Sequence, residues 1–141
     1  MGGVNKRLLA DIVFKDPKAR QKLEVILYPK LFLRQDKFIA KLKKAKCEIA
    51  FFEIPLLYEK NLESQYDYVI VTCAPQSVLV ERAVERKIDQ KVFSNILESQ
   101  MPSFEKEARA DFVLNTNIPA KELEKRIKET IKEILKCQEG K

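Results

Sequence analysis

Glycine is almost absent from this chain. Its three glycines stand at positions 2, 3 and 140 of 141 residues. The loops that cradle nucleotide phosphates, G-x-G-x-x-G and G-x-x-x-x-G-K-[S/T], need glycine where the backbone approaches the phosphates. Neither loop can therefore lie within residues 4–139. Histidine is absent altogether, which excludes Ser-His-Asp catalysis, Cys-His nucleophile pairs and histidine-ligated zinc.

The rest of the composition describes a single globular domain without a membrane span. The residues are 45% hydrophobic, and a chain of this size buries about 68–70% of its unfolded surface, which is enough for a core. Cys47, Cys73 and Cys137 lie far apart, as expected of reduced thiols in a cytosolic protein. Because no apolar run reaches about 18 residues and no signal peptide is visible, we expect a cytoplasmic protein.

The net charge is +6, from 27 basic and 21 acidic residues, and such an excess allows an anionic partner. The densest basic cluster is Lys41–Lys46, with the sequence KLKKAK. Lysines at the end of a helix complement its dipole, so the cluster is interpreted as a helix end, with an anion site as the alternative. No aromatic residues alternate with these lysines to stack on bases, and nucleic acid is not the expected partner.

Apolar spacing predicts helices in the first third of the chain. A short amphipathic helix is expected over residues 5–14, and Asp16-Pro17 then provides an N-cap followed by proline at the first helical position. Pro29 should break or kink this second helix near Tyr28, because proline lacks an N–H and clashes with the preceding turn. The helical pattern then resumes and ends in the lysine cluster.

Three later segments have the β-branched and aromatic composition of short strands: Cys47–Ile54, Asp67–Cys73 and Asp111–Leu114. Helices are predicted between and after them, beginning at Pro75, Asp89, Pro102-Ser103 and Pro119. Strands separated by helices predict an α/β fold, a partial parallel sheet flanked by helices. Three strands are few for such a sheet.

The last predicted helix is amphipathic. Its apolar stripe consists of Leu123, Ile127, Ile131, Ile134 and Leu135. On its polar side, Glu122 and Arg126, and Glu124 and Lys128, stand four residues apart and are expected to pair.

A carboxylate and a proline turn follow the first predicted strand. Ligands of open α/β sheets bind outside the carboxyl ends of the strands. Glu53 could there hold Mg²⁺, directly or through water, and Leu56 and Leu57, after Pro55, could line a pocket. The alternative is a solvated edge carboxylate and a loop that tucks two leucines into the core. Spacing alone does not decide between these interpretations.

Further polar side chains surround the second and third predicted strands. Arg82 and Arg86, four residues apart on one helix face, would suit a polyphosphate, although Glu85 and Asp89 allow a structural explanation, which is favoured. Asn115 at a strand exit could read a base edge, but asparagine caps turns very commonly, and the turn is favoured. The same strand is surrounded by Gln100, Lys106, Arg109 and Asp111.

Taken in order, these segments resemble the dephospho-coenzyme A kinase family of P-loop kinases. The resemblance extends over nearly the whole chain, and no single piece of it is specific. It is carried by Gly3–Arg7, Ile12–Pro17, Leu23–Pro29, Glu53–Glu59, Arg82 with Arg86, Gln100, Lys106, Ala110-Asp111 and Asn115.

The resemblance implies a P-loop NTPase-like fold with a helical lid and a helical substrate-binding segment. By this likeness, residues 1–46 form the acceptor-binding region and residues 47–74 the core strands. Residues 75–108 form the lid, and residues 109–141 the returning core strand and the C-terminal helix.

The implied reaction transfers the γ-phosphoryl group of ATP to the ribose 3′-hydroxyl of dephospho-coenzyme A, the last step of coenzyme A synthesis. Positioning and charge neutralisation dominate such transfer. The resemblance implies that Arg82 and Arg86 are lid arginines that contact phosphates, and that Asn115 and Gln100 lie at the nucleotide. It also implies that Glu53 binds Mg²⁺. The acceptor would contact Tyr28, Pro55, Leu56 and Leu57.

Three departures from the family pattern stand out. Tyr28 replaces a usual histidine, and Glu53 replaces a usual aspartate. The opening strand, the glycine-rich loop with its lysine and hydroxyl, and the acidic base that follows are all missing. The chain therefore looks like the C-terminal two-thirds of such an enzyme, and we expect it to be inactive alone. Self-association or a complementing N-terminal segment is expected; the alternatives are a non-catalytic nucleotide- or RNA-binding module and a partner subunit.

Overall fold

The computed structural model describes residues 3–139. It consists of two compact units, residues 1–51 and residues 52–141. No helix in the described range is both long enough and apolar enough to cross a membrane. The four-part division proposed from the sequence stays a prediction.

The first unit consists of two helices, α1 (Lys6–Lys15) and α2 (Pro17–Lys44), which pack against each other. Both helices begin as predicted. The Asn5 side chain accepts a hydrogen bond from the Leu8 N–H at 3.1 Å, and Asp16 accepts one from the Lys18 N–H at 2.8 Å. Each cap satisfies a backbone N–H that has no partner inside the helix.

A break near Tyr28 is wrong, because α2 continues through Pro29 to Lys44, while the alternative of a kink there stays a prediction. Proline inside a helix costs about 3 kcal/mol through the missing hydrogen bond and the ring clash. A second helix starting after Pro29 would have to be nucleated again, which is unfavourable. The lysine cluster lies at the helix end as predicted, with Lys41, Lys43 and Lys44 in the last turn.

The strand predicted over residues 47–54 is also wrong, since these residues form no strand. The sheet of the second unit has two parallel strands, β1 (Ile70–Cys73) and β2 (Phe112–Asn115), paired from Ile70↔Phe112 to Cys73↔Asn115. A strand needs a ladder partner for its backbone groups, and in the described sheet β1 and β2 pair with each other. The α/β class and the parallel pairing are confirmed.

The helices of the second unit follow the predicted order. They are α3 (Gln76–Glu85), α4 (Gln90–Glu98), α5 (Ser103–Arg109) and α6 (Ala120–Glu139), with a short 3₁₀ turn at Glu63–Gln65. Asp89 caps α4 as predicted and accepts hydrogen bonds from the N–H groups of Lys91 and Val92 at 2.9 and 3.2 Å.

Three positions with positive φ contain residues other than glycine: Lys46 (55°), Asn61 (51°) and Lys87 (54°). At Lys87 the chain closes α3 with two backbone bonds of 2.9 Å, from the Ile88 N–H to the Ala83 carbonyl and from the Lys87 N–H to the Val84 carbonyl. Lys46 closes α2 with the same pattern at 3.1 Å. Glycine usually occupies this position because it has no Cβ, and here lysine occupies it twice.

The fully buried apolar core is smaller than the composition predicted. In the described chain it consists of Tyr58, Ala83 and Ile134, the last of which belongs to the predicted stripe on α6. Much apolar surface is therefore accessible, including Val113 on β2 at 44% exposure.

Candidate functional site

The carboxyl ends of the two strands lie side by side, because β1 and β2 are parallel and Cys73 pairs with Asn115. Ligands of open α/β sheets bind at this edge. Thr116, the residue after β2, closes the edge: its N–H and its hydroxyl donate to the Cys73 carbonyl at 2.8 and 3.0 Å.

Arg82 of α3 is attached to this edge. Its two terminal nitrogens donate to Thr116, Nη1 to Oγ1 at 2.9 Å and Nη2 to the carbonyl oxygen at 2.7 Å. The planar guanidinium suits such a two-pronged contact. The sequence predicted Arg82 as a candidate residue but offered no signal for Thr116, which lies 34 residues away.

Arg86 is placed differently. It follows the last residue of α3 and is exposed. Within residues 3–139 no hydrogen bond or ion pair engages its side chain. The structure therefore does not bring Arg82 and Arg86 to a shared protein partner.

Asn115 forms a turn, which was the interpretation that the sequence favoured. Its Oδ1 accepts a hydrogen bond from the Asn117 N–H at 2.8 Å. This contact shapes the loop after β2 and leaves the Nδ2 group exposed with the side chain. Contact of Asn115 with a base stays a prediction.

The segment after residue 52 presents one exposed carboxylate and a tight turn. Glu53 and Pro55 are exposed, while Leu56 and Leu57 are half-buried. The Leu62 N–H donates to the Leu57 carbonyl at 3.0 Å and closes the turn. In the described chain no group of three metal-ligating side chains includes Glu53.

Sequence reasoning missed a cluster of charged side chains around the buried Tyr58. Arg109 lies over the Tyr58 ring at 4.4 Å and forms an ion pair with Glu63. Beside them, Glu59 accepts a hydrogen bond from the Met101 N–H at 2.5 Å. These contacts attach residues 58–63 to the end of α5 and to the residue two positions before the helix, and no local pattern links partners more than 40 residues apart.

Tyr58 is 4% exposed, and its hydroxyl has no hydrogen-bond partner within the described chain. Burial raises the pKa of this phenol above 10.0, an effect that the nearby Arg109 cation partly opposes. A neutral phenol is therefore favoured in the folded state.

Gln100 and Asp111 both make structural contacts. Gln100 accepts a hydrogen bond from Lys106 Nζ at 2.9 Å, between α4 and α5. Asp111 accepts one from the Val69 N–H at 2.8 Å, at the start of the paired strands.

At the opposite end of β1, burial raises the pKa of the Cys73 thiol, with a smaller contribution from Glu107, so this thiol is kept protonated.

Tyr28 belongs to the first unit, in the middle of α2. It is half-buried, and its ring stacks on Phe32 with centroids 5.9 Å apart and planes 20° apart. A role of Tyr28 at an acceptor stays a prediction.

The chain is similar to proteins that have known names and structures. The family model described as dephospho-CoA kinase matches residues 1–122. A dephospho-CoA kinase from Rickettsia conorii is 34% identical over 136 residues, covering 95% of this chain and 69% of that protein. One from Brucella melitensis is 36% identical over 131 residues, covering 92% and 66%.

The chain is also similar to a protein of solved structure. The crystal structure of TT1252 from Thermus thermophilus matches with a TM-score of 0.75 and 30% identity, over 92% of this chain and 66% of that chain. The chain thus spans about two-thirds of the length of the relatives it matches.

Proposed function

The chain belongs to the dephospho-coenzyme A kinase family, and we propose that it serves the ATP-dependent phosphorylation of the ribose 3′-hydroxyl of dephospho-coenzyme A. The observation that carries this proposal is the family match over residues 1–122. The carboxyl edge of the parallel strands, where such folds bind ligands, supports it.

In this proposal the two arginines have different roles at the nucleotide. Arg82 is held against Thr116 at the strand edge, and Arg86 is exposed at the end of α3. Fixed positive charge near transferring phosphates stabilises the charge that develops in the transition state. Asn115 and Gln100 complete the nucleotide side, Asn115 through the loop that it shapes after β2.

The acceptor side is assigned to the turn at Pro55, Leu56 and Leu57, and to Tyr28 in the first unit. The half-buried leucines offer apolar surface, and the stacked ring of Tyr28 offers an aromatic face. Apolar walls with a few polar groups are the usual lining of sites for organic ligands.

Glu53 is proposed to hold Mg²⁺. Magnesium is usually bound through one or two carboxylates together with substrate phosphates and waters. An exposed carboxylate with no hydrogen-bond partner in the described chain fits that requirement. When bound, the ion would neutralise phosphate charge.

Residues 1–141 contain no Gly-Lys-Ser/Thr loop, and we propose that transfer requires such a loop from outside these residues. The assay is phosphoryl transfer from Mg-ATP to dephospho-coenzyme A, with this chain alone and with an added chain that supplies the loop. We expect no turnover alone and turnover on addition. Turnover by the 141 residues alone would contradict the requirement for the loop.

A matched pair of variants tests the arginine assignment in the complemented assay. Arg86→Gln should lower transfer at least tenfold, since it removes a phosphate-neutralising cation. Lys87→Gln, at the next residue, removes the same charge without a proposed role and should change transfer less than twofold. Equal effects would show that only net charge matters. Nucleotide binding without transfer in every arrangement would favour a non-catalytic module, which the absent loop makes the second candidate.

A further inference from the structure

The excess positive charge of the chain lies entirely in its first unit. Residues 1–51 contain 13 basic and 5 acidic residues, a net charge of +8, whereas residues 52–141 contain 14 basic and 16 acidic residues, a net charge of −2. The net positive field of this protein therefore originates in the helical unit, whereas the unit that contains the sheet attracts anions through local cations such as Arg82 and Arg86.

Five of these cations form a stripe along α2: Lys30, Arg34, Lys37, Lys41 and Lys44. They recur at intervals of three or four residues, so they share one face of the helix. All five are exposed. At about 1.5 Å per residue, the stripe is about 21 Å long.

Within the part of the chain that the structure describes, the basic stripe lacks acidic partners. Among the described residues none of its five cations is in an ion pair. The acidic residue within this stretch is Asp36, whose neighbours three and four positions away are uncharged: Phe32, Leu33, Ile39 and Ala40. Like charges at these intervals destabilise a helix, so the stripe is unfavourable for α2 by itself.

The C-terminal helix α6 differs from α2 in how its charges are paired. It has six basic residues, against nine in α2. Three of its cations face carboxylates one turn away: Arg126 with Glu122 at 3.8 Å, Lys128 with Glu124 at 2.5 Å, and Lys125 with Glu129 at 3.8 Å. Its charge pattern is that of a solvated helix. The basic stripe of α2 has no such compensation and suits an external polyanion.

We propose that the basic stripe binds the phosphodiester backbone of a nucleic acid without reading its bases. The length of the stripe corresponds to about six successive phosphates of one strand, at about 3.4 Å each. No aromatic residue belongs to the stripe, so base stacking is not part of the contact. A single pyrophosphate is too short to neutralise five cations spread over this length.

A membrane surface fits α2 less well. A helix that lies in a bilayer interface needs one continuous apolar face. The exposed apolar side chains of α2 fall into separate groups, with Leu27, Leu31 and Phe38 on one side of the basic stripe and Ile26 and Leu33 on the other, so they form no single continuous face.

The sequence did not predict nucleic acid because the Lys41–Lys46 cluster lacks aromatic residues for base stacking. The stripe shares Lys41 and Lys44 with that cluster and adds three cations on the same helix face, and contact with phosphates alone needs no stacking.

The test measures binding of the 141-residue chain to labelled duplex DNA, duplex RNA and single-stranded DNA, each about 20 nucleotides long, by fluorescence anisotropy. With five phosphate contacts, the affinity for duplex DNA should fall about 500-fold between about 50 and 200 mM salt. Changing all five stripe residues to glutamine should weaken binding at least tenfold at the lower salt concentration. Glutamine retains helix propensity, and circular dichroism checks that α2 is intact.

The matched control changes five lysines of α6 to glutamine: Lys121, Lys125, Lys128, Lys132 and Lys136. It lowers the net charge of the chain equally and should change affinity less than threefold. Equal losses in both variants, or no duplex binding at about 50 mM salt, would overturn the proposal. So would displacement of the duplex by equimolar dephospho-coenzyme A, or binding of anionic vesicles without binding of any nucleic acid. None of these readouts requires phosphoryl transfer, so the proposed function can fail independently.

Discussion

Replacing Lys87 with glycine should stabilise the second unit. Lys87 has a φ of 54°, and a residue with a Cβ in this left-handed region is disfavoured by about 1–2 kcal/mol. Its side chain is exposed and makes no hydrogen bond or ion pair among residues 3–139, so its removal forfeits no contact. The two backbone bonds that close α3 are available to glycine equally.

The expected change in the free energy of unfolding is the difference between two effects. Relief of the left-handed strain gains about 1–2 kcal/mol, and the greater freedom of glycine in the unfolded chain loses about 0.4–1 kcal/mol. The net gain is about 0.5–1 kcal/mol in the free energy of unfolding. For a cooperative unit of this size, that gain raises the melting temperature by about 2–8 °C.

The assay is urea unfolding followed by circular dichroism, compared with thermal melting. The control is Lys132→Gly, an exposed position inside α6, which should lose about 0.8–1.0 kcal/mol. Lys87→Ala keeps the Cβ and should leave stability almost unchanged. A loss of stability in Lys87→Gly as large as that in Lys132→Gly would refute the reasoning, because it would mean that the left-handed backbone contributes nothing.

Three other measurements follow from the structure. Arg82→Gln and Thr116→Val should each destabilise the fold, and a double-mutant cycle by urea unfolding should give a coupling of about 1–2 kcal/mol; additivity would argue against the observed contact. Tyr58→Phe should be neutral or slightly stabilising at pH 7, because the hydroxyl is buried without a partner. The raised pKa of Tyr58 means that the folded state loses stability as pH rises through and above 10.0, and this component of the pH profile should disappear in Tyr58→Phe. The exposed apolar surface should make sedimentation depend on protein concentration, and a monomer up to about 100 μM would contradict that.

Local signals in the sequence predicted most of the helices correctly, and they also caused one of the errors. The caps at Asn5, Asp16 and Asp89 are interactions between residues two or three positions apart, so their effect is visible in the sequence. Pro29 shows the limit, since the local preference to break a helix was outweighed by the continuity of α2 on both sides. Propensity describes each position, whereas helix continuation is cooperative.

Long-range contacts decide the rest, and these were not predictable. The residues 47–54 have strand composition as strong as that of β1, but pairing depends on which segments meet, and composition does not record that. The Tyr58–Arg109 contact and the Arg82–Thr116 contact each join residues more than 30 positions apart. The sequence had offered Arg82 and Arg109 as candidates, but not their partners Thr116 and Tyr58. The turn at Asn115 was predicted correctly because it closes over two residues, whereas the role of Asn115 at the nucleotide stays a prediction.

The Arg82–Thr116 contact bears on the phosphate-binding role that we propose for Arg82. A guanidinium has five N–H donors, and two hydrogen bonds to Thr116 leave donors available on the same group. Arg82 therefore does not have to leave the strand edge to meet an anion, and its geometry is set before the anion arrives. A preorganised charge stabilises a developing negative charge without reorganisation at the moment of reaction. It follows that Thr116→Val should weaken nucleotide affinity although its side chain need not touch the nucleotide, whereas loss of the exposed Arg86 removes charge without altering the strand edge.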